Sequence, residues 1–253
     1  MRFASLGSGS KGNATLISQG ETTLLVDCGF SARETEKRLQ RINFDVNKLS
    51  AILITHEHGD HINGVRVLAR KHQLPVYATA GTAASLSADV MSLVNEISSH
   101  DAFTINDIEV HPFPVPHDAR EPSQFVFSDG KHKVGLLTDV GISTPIIEEA
   151  LSGCDALLLE ANHDMEMLDN SDYHEHLKYR VSSRLGHLNN VQSVKLLEKL
   201  DTSKLQHIVA MHLSEKNNSP NIVTPLFAQA LNCDQSWIGI AEQETGFSWR
   251  ETI

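Results

Sequence analysis

Four side chains able to ligate a metal fall within six residues of the stretch 51–65, AILITHEHGDHINGV: His56, His58, Asp60 and His61. The apolar run before them, residues 51–55, has the composition of a buried strand, and Gly59 marks a bend just beyond its end. His56 and His58 are two apart, so in an extended segment both imidazoles project to one side and can grip one cation through neutral nitrogens. Asp60 and His61 follow the bend and offer a carboxylate oxygen and an imidazole nitrogen, half of a second site. The pattern implies two neighbouring divalent cations. Two such ions roughly 3.5–4 Å apart would acidify a bridging water, hold a substrate oxygen and stabilise developing negative charge, leaving hydroxide as the nucleophile. The alternative is a solvated turn rich in histidine, which requires ligand type, spacing and strand context to coincide by accident.

The elements that must position these groups read as an alternation of strands and helices. Residues 1–6, 14–18 and 22–27 have strand character. The loop GSGSKGN between the first two carries glycines at 7, 9 and 12, matching GxGxxG. A dinucleotide fingerprint opens a helix, whereas ATLIS after this loop is strand-like, so no dinucleotide site is expected. Ser8, Ser10, Lys11 and Asn13 instead offer hydroxyl, ammonium and backbone donors to an anionic substrate group, with a plain hairpin turn as the equal alternative. Residues 31–42 read as a helix with Ser31 and Glu34 in capping-box positions. Its Arg33, Lys37, Arg38 and Arg41 form a basic face expected to be solvated rather than to hold phosphate. Residues 65–72 read as a helix and 75–79 as a strand.

Farther along, residues 103–115 read as one strand, kept extended up to His117 by Pro112, Pro114 and Pro116. Residues 124–128 and 131–138 form a hairpin about Asp129-Gly130, whose second arm runs into Asp139. A helix at 144–151 and a buried strand at 154–160 follow, the latter ending in EANHD. Asn189 and Asn190 cap a helix from Val191, which puts His187 near a helix N-terminus where an anion could dock. An apolar run at 208–211 precedes His212, and beyond Pro220 there is a helix and a strand pair around 237–241 and 246–250.

Composition narrows the function classes. With 253 residues, 40% hydrophobic and 21% charged, and no low-complexity run or linker, one domain spanning 1–253 is expected. A net charge of −11 opposes general affinity for nucleic acid, though not a local cationic mouth built by metal ions. The 14 histidines are numerous beside 21 Lys plus Arg, and metal chemistry accounts for part of that excess. No apolar run approaches the ~18 residues of a membrane span, and MRFASLGSGSKGN lacks the apolar core of a signal peptide, so a cytoplasmic location and no membrane partner are expected. Cys28, Cys154 and Cys233 are odd in number and widely spaced, as reduced core residues are.

His56, His58, Asp60 and His61 as HxHxDH resemble the signature of the metallo-β-lactamase-fold hydrolases. Together with LGSGSKGN, PHDAR, LLTDVG, EANHD, RLGHLNN and HLSEKNNSP, the chain from Met1 to Ser219 resembles the YycJ (WalJ, VicX) branch, a compact nuclease-like group related to ribonuclease Z and ribonuclease J. The resemblance implies an α+β fold, a four-layer αββα sandwich with the site at one open edge of its two central sheets. It implies a first ion held by His56, His58 and His117 and a second by Asp60, His61 and His212. By the same resemblance Asp139 bridges the two and Asp27 orients the metal loop. Zinc and manganese suit such ligands equally. The implied activity is phosphodiester hydrolysis of nucleic acid, DNA favoured, as an exonuclease running 5′ to 3′.

Cleavage of a phosphodiester also requires the leaving oxygen to be stabilised or protonated. Asp60 serves catalysis as a ligand, and His187 and His163 are the surplus histidines for the leaving group, with His187 preferred for contact with substrate phosphate. Either could instead merely support other residues. Several relatives are opposed by residues. The flavodiiron pattern has glutamate where His58 stands, and the commonest zinc β-lactamases have arginine where His61 stands, use a cysteine ligand and are secreted. The 72 residues between Asp139 and His212 leave no room for the cap domain of larger nucleases. A small-molecule hydrolase for a cyclic phosphodiester or a glyoxalase-like thioester is the second reading, and a metal-binding accessory protein without turnover the third.

Overall fold

Every side chain of the strand Ala156–Glu160, ALLLE, is buried, yet successive residues serve different cores. Ala156 and Leu158 pack in one apolar cluster, Leu157 and Leu159 in another. That is the two-residue period of a strand with an apolar layer on each face, and it sets the layers of the whole molecule.

The computed structural model describes residues 1–253. Its first half forms β1 (Arg2–Gly7), β2 (Ala14–Gln19), β3 (Thr22–Val26), α1 (Ala32–Arg41), β4 (Ala51–Leu53), α2 (Gly59–Ile62), α3 (Val65–His72), β5 (Val76–Thr79), α4 (Ala80–Ala83) and β6 (Val94–Ile97). There follow β7 (Phe103–Ile105), β8 (Ile108–Pro114), β9 (Ser123–Ser128), β10 (Lys133–Leu137), α5 (Pro145–Leu151), β11 (Ala156–Glu160), α6 (Met165–Asp169) and α7 (Glu175–Ser182). The chain ends with α8 (Asn190–Leu197), β12 (His207–Met211), α9 (Pro220–Ala230), β13 (Ile238–Ile240) and β14 (Phe247–Glu251). The strands make two seven-stranded sheets, β14-β1-β2-β3-β4-β5-β6 and β13-β12-β11-β10-β9-β8-β7. In the first, β14 through β3 pair antiparallel and β3 through β6 parallel. In the second, β7 through β10 pair antiparallel and β10 through β13 parallel.

One cluster lies between the sheets, with Phe3, Leu24 and Val26 meeting Phe125, Phe127, Leu136, Leu158 and Val209. A second covers the outer face of the second sheet with Ile147, Leu151, Leu196 and Phe227 from α5, α8 and α9. A third covers the first sheet with Leu39, Val65 and Leu68 from α1 and α3. The layers are therefore helix, sheet, sheet, helix, the metallo-β-lactamase arrangement. No helix is long and apolar enough to cross a membrane.

Three local expectations change. Residues 103–115 are two strands, because Asn106, at φ 49°, turns the chain back on itself before Ile108. On the basic face of α1, Arg33 and Lys37 are solvated as expected, but Arg38 and Arg41 are engaged by backbone carbonyls. Arg38 is 5% exposed, stacks on Phe30 with its guanidinium 3.8 Å from the ring centroid, and donates to the carbonyls of Leu6 and Gln243. Arg41 donates to the carbonyls of Leu6, Glu244 and Thr245. Carbonyls at a strand end and in a turn lack ladder partners, and a guanidinium has enough donors to satisfy several at once. Ser31 accepts from the Glu34 amide as a cap should, but the Glu34 carboxylate pairs with Arg38 instead of closing the box.

Leu158 is 1% exposed at the centre of the inter-sheet cluster. Leu158→Ala is expected to remove about 2–5 kcal/mol of stability through lost transfer energy and a residual cavity. Urea unfolding should show a lower midpoint at unchanged slope; a loss under 1 kcal/mol would mean that the two sheets close over the gap.

Candidate metal centre

The residues predicted as ligands stand just after strands or, for Asp60 and His61, on the short helix α2 that follows one. After β4 the chain stays extended through His58, whose φ of −65° and ψ of 150° cap α2, and then turns through Gly59. This places His56 and His58 side by side, ring centroids 4.5 Å apart, and His58 Nδ1 lies 3.3 Å from Nε2 of His117, which follows β8. Asp139 follows β10 and His212 follows β12. His56, His58 and His117 bring ligand atoms within 4.8 Å of one another, as do Asp60, His61 and His212. Asp139 joins a third such group with one histidine from each, His56 and His61.

The outer face of each imidazole is held. Asp27, which ends β3, takes His61 Nδ1 at 2.8 Å and accepts from both the amide and the hydroxyl of Thr55. The Thr55 hydroxyl also lies 3.0 Å from His56 Nδ1. His58 Nε2 is 3.2 Å from the Asp118 carbonyl, and His117 Nδ1 is 3.1 Å from that of Gly186. Glu160, ending β11, takes His212 Nδ1 at 3.2 Å and His187 Nδ1 at 2.9 Å. Three of the inner atoms are left unpaired. His56 Nε2, His212 Nε2 and Asp139 Oδ2 are buried without a hydrogen-bond partner. Each such orphan costs about 1–3 kcal/mol, and divalent cations would satisfy all of them. The residues present therefore fit the metals that the motif implies.

Aiming these groups inward requires unusual backbone. Asp27, Asp139 and His212 have φ of 61°, 53° and 55°, in the left-handed region that costs a non-glycine residue about 1–3 kcal/mol. Gly29 is needed for a different reason, since a Cβ there would sit 1.7 Å from the Asp60 carbonyl oxygen. The loops 7–13, 27–30 and 59–64 are laced together by backbone bonds from Asn13 to Asp60, Gly29 to Asn13, Cys28 to His61 and Gly64 to Cys28.

The glycine-rich loop is consequently an inner support, and the expectation that four of its side chains meet substrate is revised. Ser8 is buried and accepts from the His212 amide at 2.9 Å. Asn13 is buried against Asp60 and His61. Lys11 is paired with Glu215 at 2.8 Å, and Ser10 alone of the four lines the cleft above the candidate ligands.

Electrostatics follow from the crowding of acids and imidazoles. Burial opposes ionisation of Asp60, but the imidazoles of His212 and His61, 3.8 and 3.5 Å from its carboxylate, hold it far below the usual carboxylate range. Asp139 is likewise held well down against burial by the charges of His212 and His61. Burial would lower His212, yet the Asp139 charge, the neighbouring Asp60 carboxylate and the bond to Glu160 push it up to about 10. His61 is raised against burial by Asp27 and Asp139, and His56 is lowered by burial and by the charge on His61. The acids thus demand positive charge around His61 and His212, which divalent cations would supply.

The cleft encloses about 220 Å³. Asp60, Asp139, His187 and His212 face it, α7 and the segment before it contribute Tyr173, Leu177 and Arg180, and the loop after β12 contributes Ser214 and Asn217. His187 keeps 20% side-chain exposure, whereas His163 is fully buried and does not line the cleft. Burial and the His187 charge push His163 down to about 4, so its assignment to the leaving group gives way to His187. Asn189 and Gln192 close a capping box at the start of α8, which begins one residue earlier than expected. The residue that sequence reasoning missed is Glu160. Its signal was available, a carboxylate ending a buried apolar strand just as Asp27 does.

Glu160→Gln keeps the size of the side chain but removes the charge that fixes His212 and His187. Metal affinity is expected to fall about 10- to 100-fold, measured by calorimetric titration of the metal-free protein. Wild-type affinity would reduce Glu160 to a backbone anchor for Asp139, Val140 and Leu188.

Comparison with known proteins agrees with this geometry. Residues 22–213 match the Beta-lactamase superfamily domain. The chain is 35% identical over 246 residues to exodeoxyribonuclease YycJ of Bacillus anthracis, covering 96% of this chain and 92% of that one. It is 35% identical over 223 residues to exodeoxyribonuclease WalJ of Streptococcus pneumoniae, covering 86% and 83%. Among solved structures, Zn²⁺-bound PqqB of Methylobacterium extorquens superposes with a TM-score of 0.77 at 18% identity, covering 99% of this chain and all of the other. On its motif, its layers and these relatives, the chain belongs to the beta-lactamase superfamily, within the group that includes the YycJ and WalJ exodeoxyribonucleases.

Proposed function

We propose that this protein is a binuclear metal-dependent DNA exonuclease that works from the 5′ end. The observation that carries the reading is the pair of ligand groups joined by Asp139 at the floor of a polar cleft, with unpaired buried atoms facing inward from both. His56, His58 and His117 would hold one ion and Asp60, His61 and His212 the other, with Asp139 between them. When bound, two such cations supply Lewis acidity and an acidified water to phosphodiester hydrolysis, and zinc or manganese would serve. The names of the YycJ and WalJ relatives support DNA as the substrate, and the zinc in PqqB supports a zinc-competent site.

The chain's own contribution to the leaving group is His187. Glu160 holds its Nδ1 at 2.9 Å, which fixes the ring and leaves Nε2 as the atom able to carry a proton to the departing oxygen. Ligands from both sheets are needed, so residues 1–253 act as one domain. Three free cysteines suit a cytoplasmic setting. The small volume of the cleft favours, as a second reading, hydrolysis of a small cyclic phosphodiester or a thioester.

Degradation of a 5′-phosphorylated DNA duplex with added Mn²⁺ or Zn²⁺ tests the first reading. Stepwise product release is expected, and it should vanish with EDTA and in Asp60→Ala. His187→Ala should lose about 10²- to 10⁴-fold in turnover while retaining bound metal. Protein holding two metal equivalents but inert toward DNA would shift the assignment to the small-molecule reading.

A further inference from the structure

Arg180 on α7 is the one lysine or arginine that lines the cleft. Cations nearby are already neutralised, Lys11 by Glu215 at 2.8 Å and Lys216 by Asp172 at 3.1 Å. Arg180 is held differently. Its Nε donates to Asp118 Oδ2 at 2.6 Å, while neither terminal nitrogen has a partner in the protein. A guanidinium fixed along one edge in this way presents the rest of its fork, pre-oriented, to an oxyanion. With the side chain 52% exposed, that fork is open to a ligand.

Its anchor is fixed in turn to the metal ligands. The Asp118 amide donates to the Leu185 carbonyl at 3.0 Å, its carbonyl meets His58 Nε2 at 3.2 Å, and its Oδ1 lies 3.4 Å from His117 Nε2. One residue therefore sets the position of the guanidinium relative to the first ligand group. The helix that carries Arg180 buries none of its residues, so it owes nothing to a core, and its Leu177, Arg180 and Val181 all face the cleft. A chain of net charge −11 repels a polyanion at long range and must offer positive charge locally.

We propose that Arg180 docks a non-reacting phosphate of the substrate backbone, adjacent to the one being cleaved, and thereby selects a polynucleotide over an isolated phosphodiester. This rests on the nuclease reading above and names the side chain that reads polymer. The phosphate gains two charge-assisted hydrogen bonds from the terminal nitrogens, and Asp118 keeps the fork in register with the ligands while it is occupied.

The test compares wild type, Arg180→Ala and Arg180→Lys, all metal-loaded, on a 5′-phosphorylated DNA duplex and on bis(p-nitrophenyl) phosphate, whose hydrolysis reports the integrity of the metal centre. Arg180→Ala is expected to lose about 10- to 100-fold more kcat/KM on DNA than on the small diester, through KM, as removal of a charged hydrogen bond to phosphate predicts. The slope of log kcat/KM against log salt should become shallower by about 0.9, the signature of one lost phosphate contact. Arg180→Lys should regain the slope but only part of the affinity, lacking the fork. Equal losses on both substrates, or an unchanged salt slope, would overturn the proposal and leave Arg180 a structural partner of Asp118. Wild type active on the small diester but inert on DNA would overturn the nuclease reading itself, and this proposal with it.

Discussion

Two carboxylates buried at strand ends, Asp27 in the first sheet and Glu160 in the second, are the constraint on which the rest of the site depends. Each sits almost without water, each is surrounded by hydrogen-bond donors, and each takes the outer nitrogen of a histidine whose inner nitrogen faces the other candidate ligands. A buried carboxylate without donors would be neutral or destabilising. Asp27 is satisfied by Thr55 and His61, and Glu160 by the amides of Asp139, Val140 and Leu188 together with His187 and His212. The same bonds that make these acids tolerable also determine where the imidazoles point.

The correspondence extends to the sheets. Each has an antiparallel block followed by a parallel block, and the acids follow or end strands of the parallel pairings, Glu160 on β11 between two parallel neighbours and Asp27 after β3, where the first parallel pairing begins. Parallel strands end on one side, so their termini can crowd several side chains into a small volume, as open sheets do at ligand sites generally. The left-handed residues Asp27, Asp139 and His212 occur at these crowded ends, where packing from both sheets can enforce a backbone that an isolated loop would relax.

Much of this was legible because it is local. HxHxDH declares its geometry within six residues, and the apolar runs before Asp139 and His212 mark them as strand-terminal before any coordinates exist. The layers were legible through the motif rather than through periodicity, since strands such as ALLLE are apolar on both faces and give no alternation to read. What stayed hidden depends on distant partners. Glu160 is one acid among 32 Asp and Glu until β10 and β12 are seen flanking β11. Arg38 reads as a solvated cation until the turn at 242–246 arrives beneath it, and Ser8 reads as a substrate donor until the His212 amide claims its hydroxyl. Long-range closure decides these roles, and sequence spacing carries no trace of it.

The clamp that Arg38 makes has a bearing on how the protein matures. The glycine-rich loop that braces Asp60, His61 and His212 is itself braced by Gln243, whose side chain takes the Lys11 amide at 2.7 Å and donates to the Gly12 carbonyl at 2.9 Å. These contacts join residues more than 200 positions apart. During synthesis the HxHxDH segment therefore emerges long before its supports exist. Connections of such high contact order form late and slowly. The loop that braces Asp60, His61 and His212 can therefore be fixed in place only after residues 242–246 have been made.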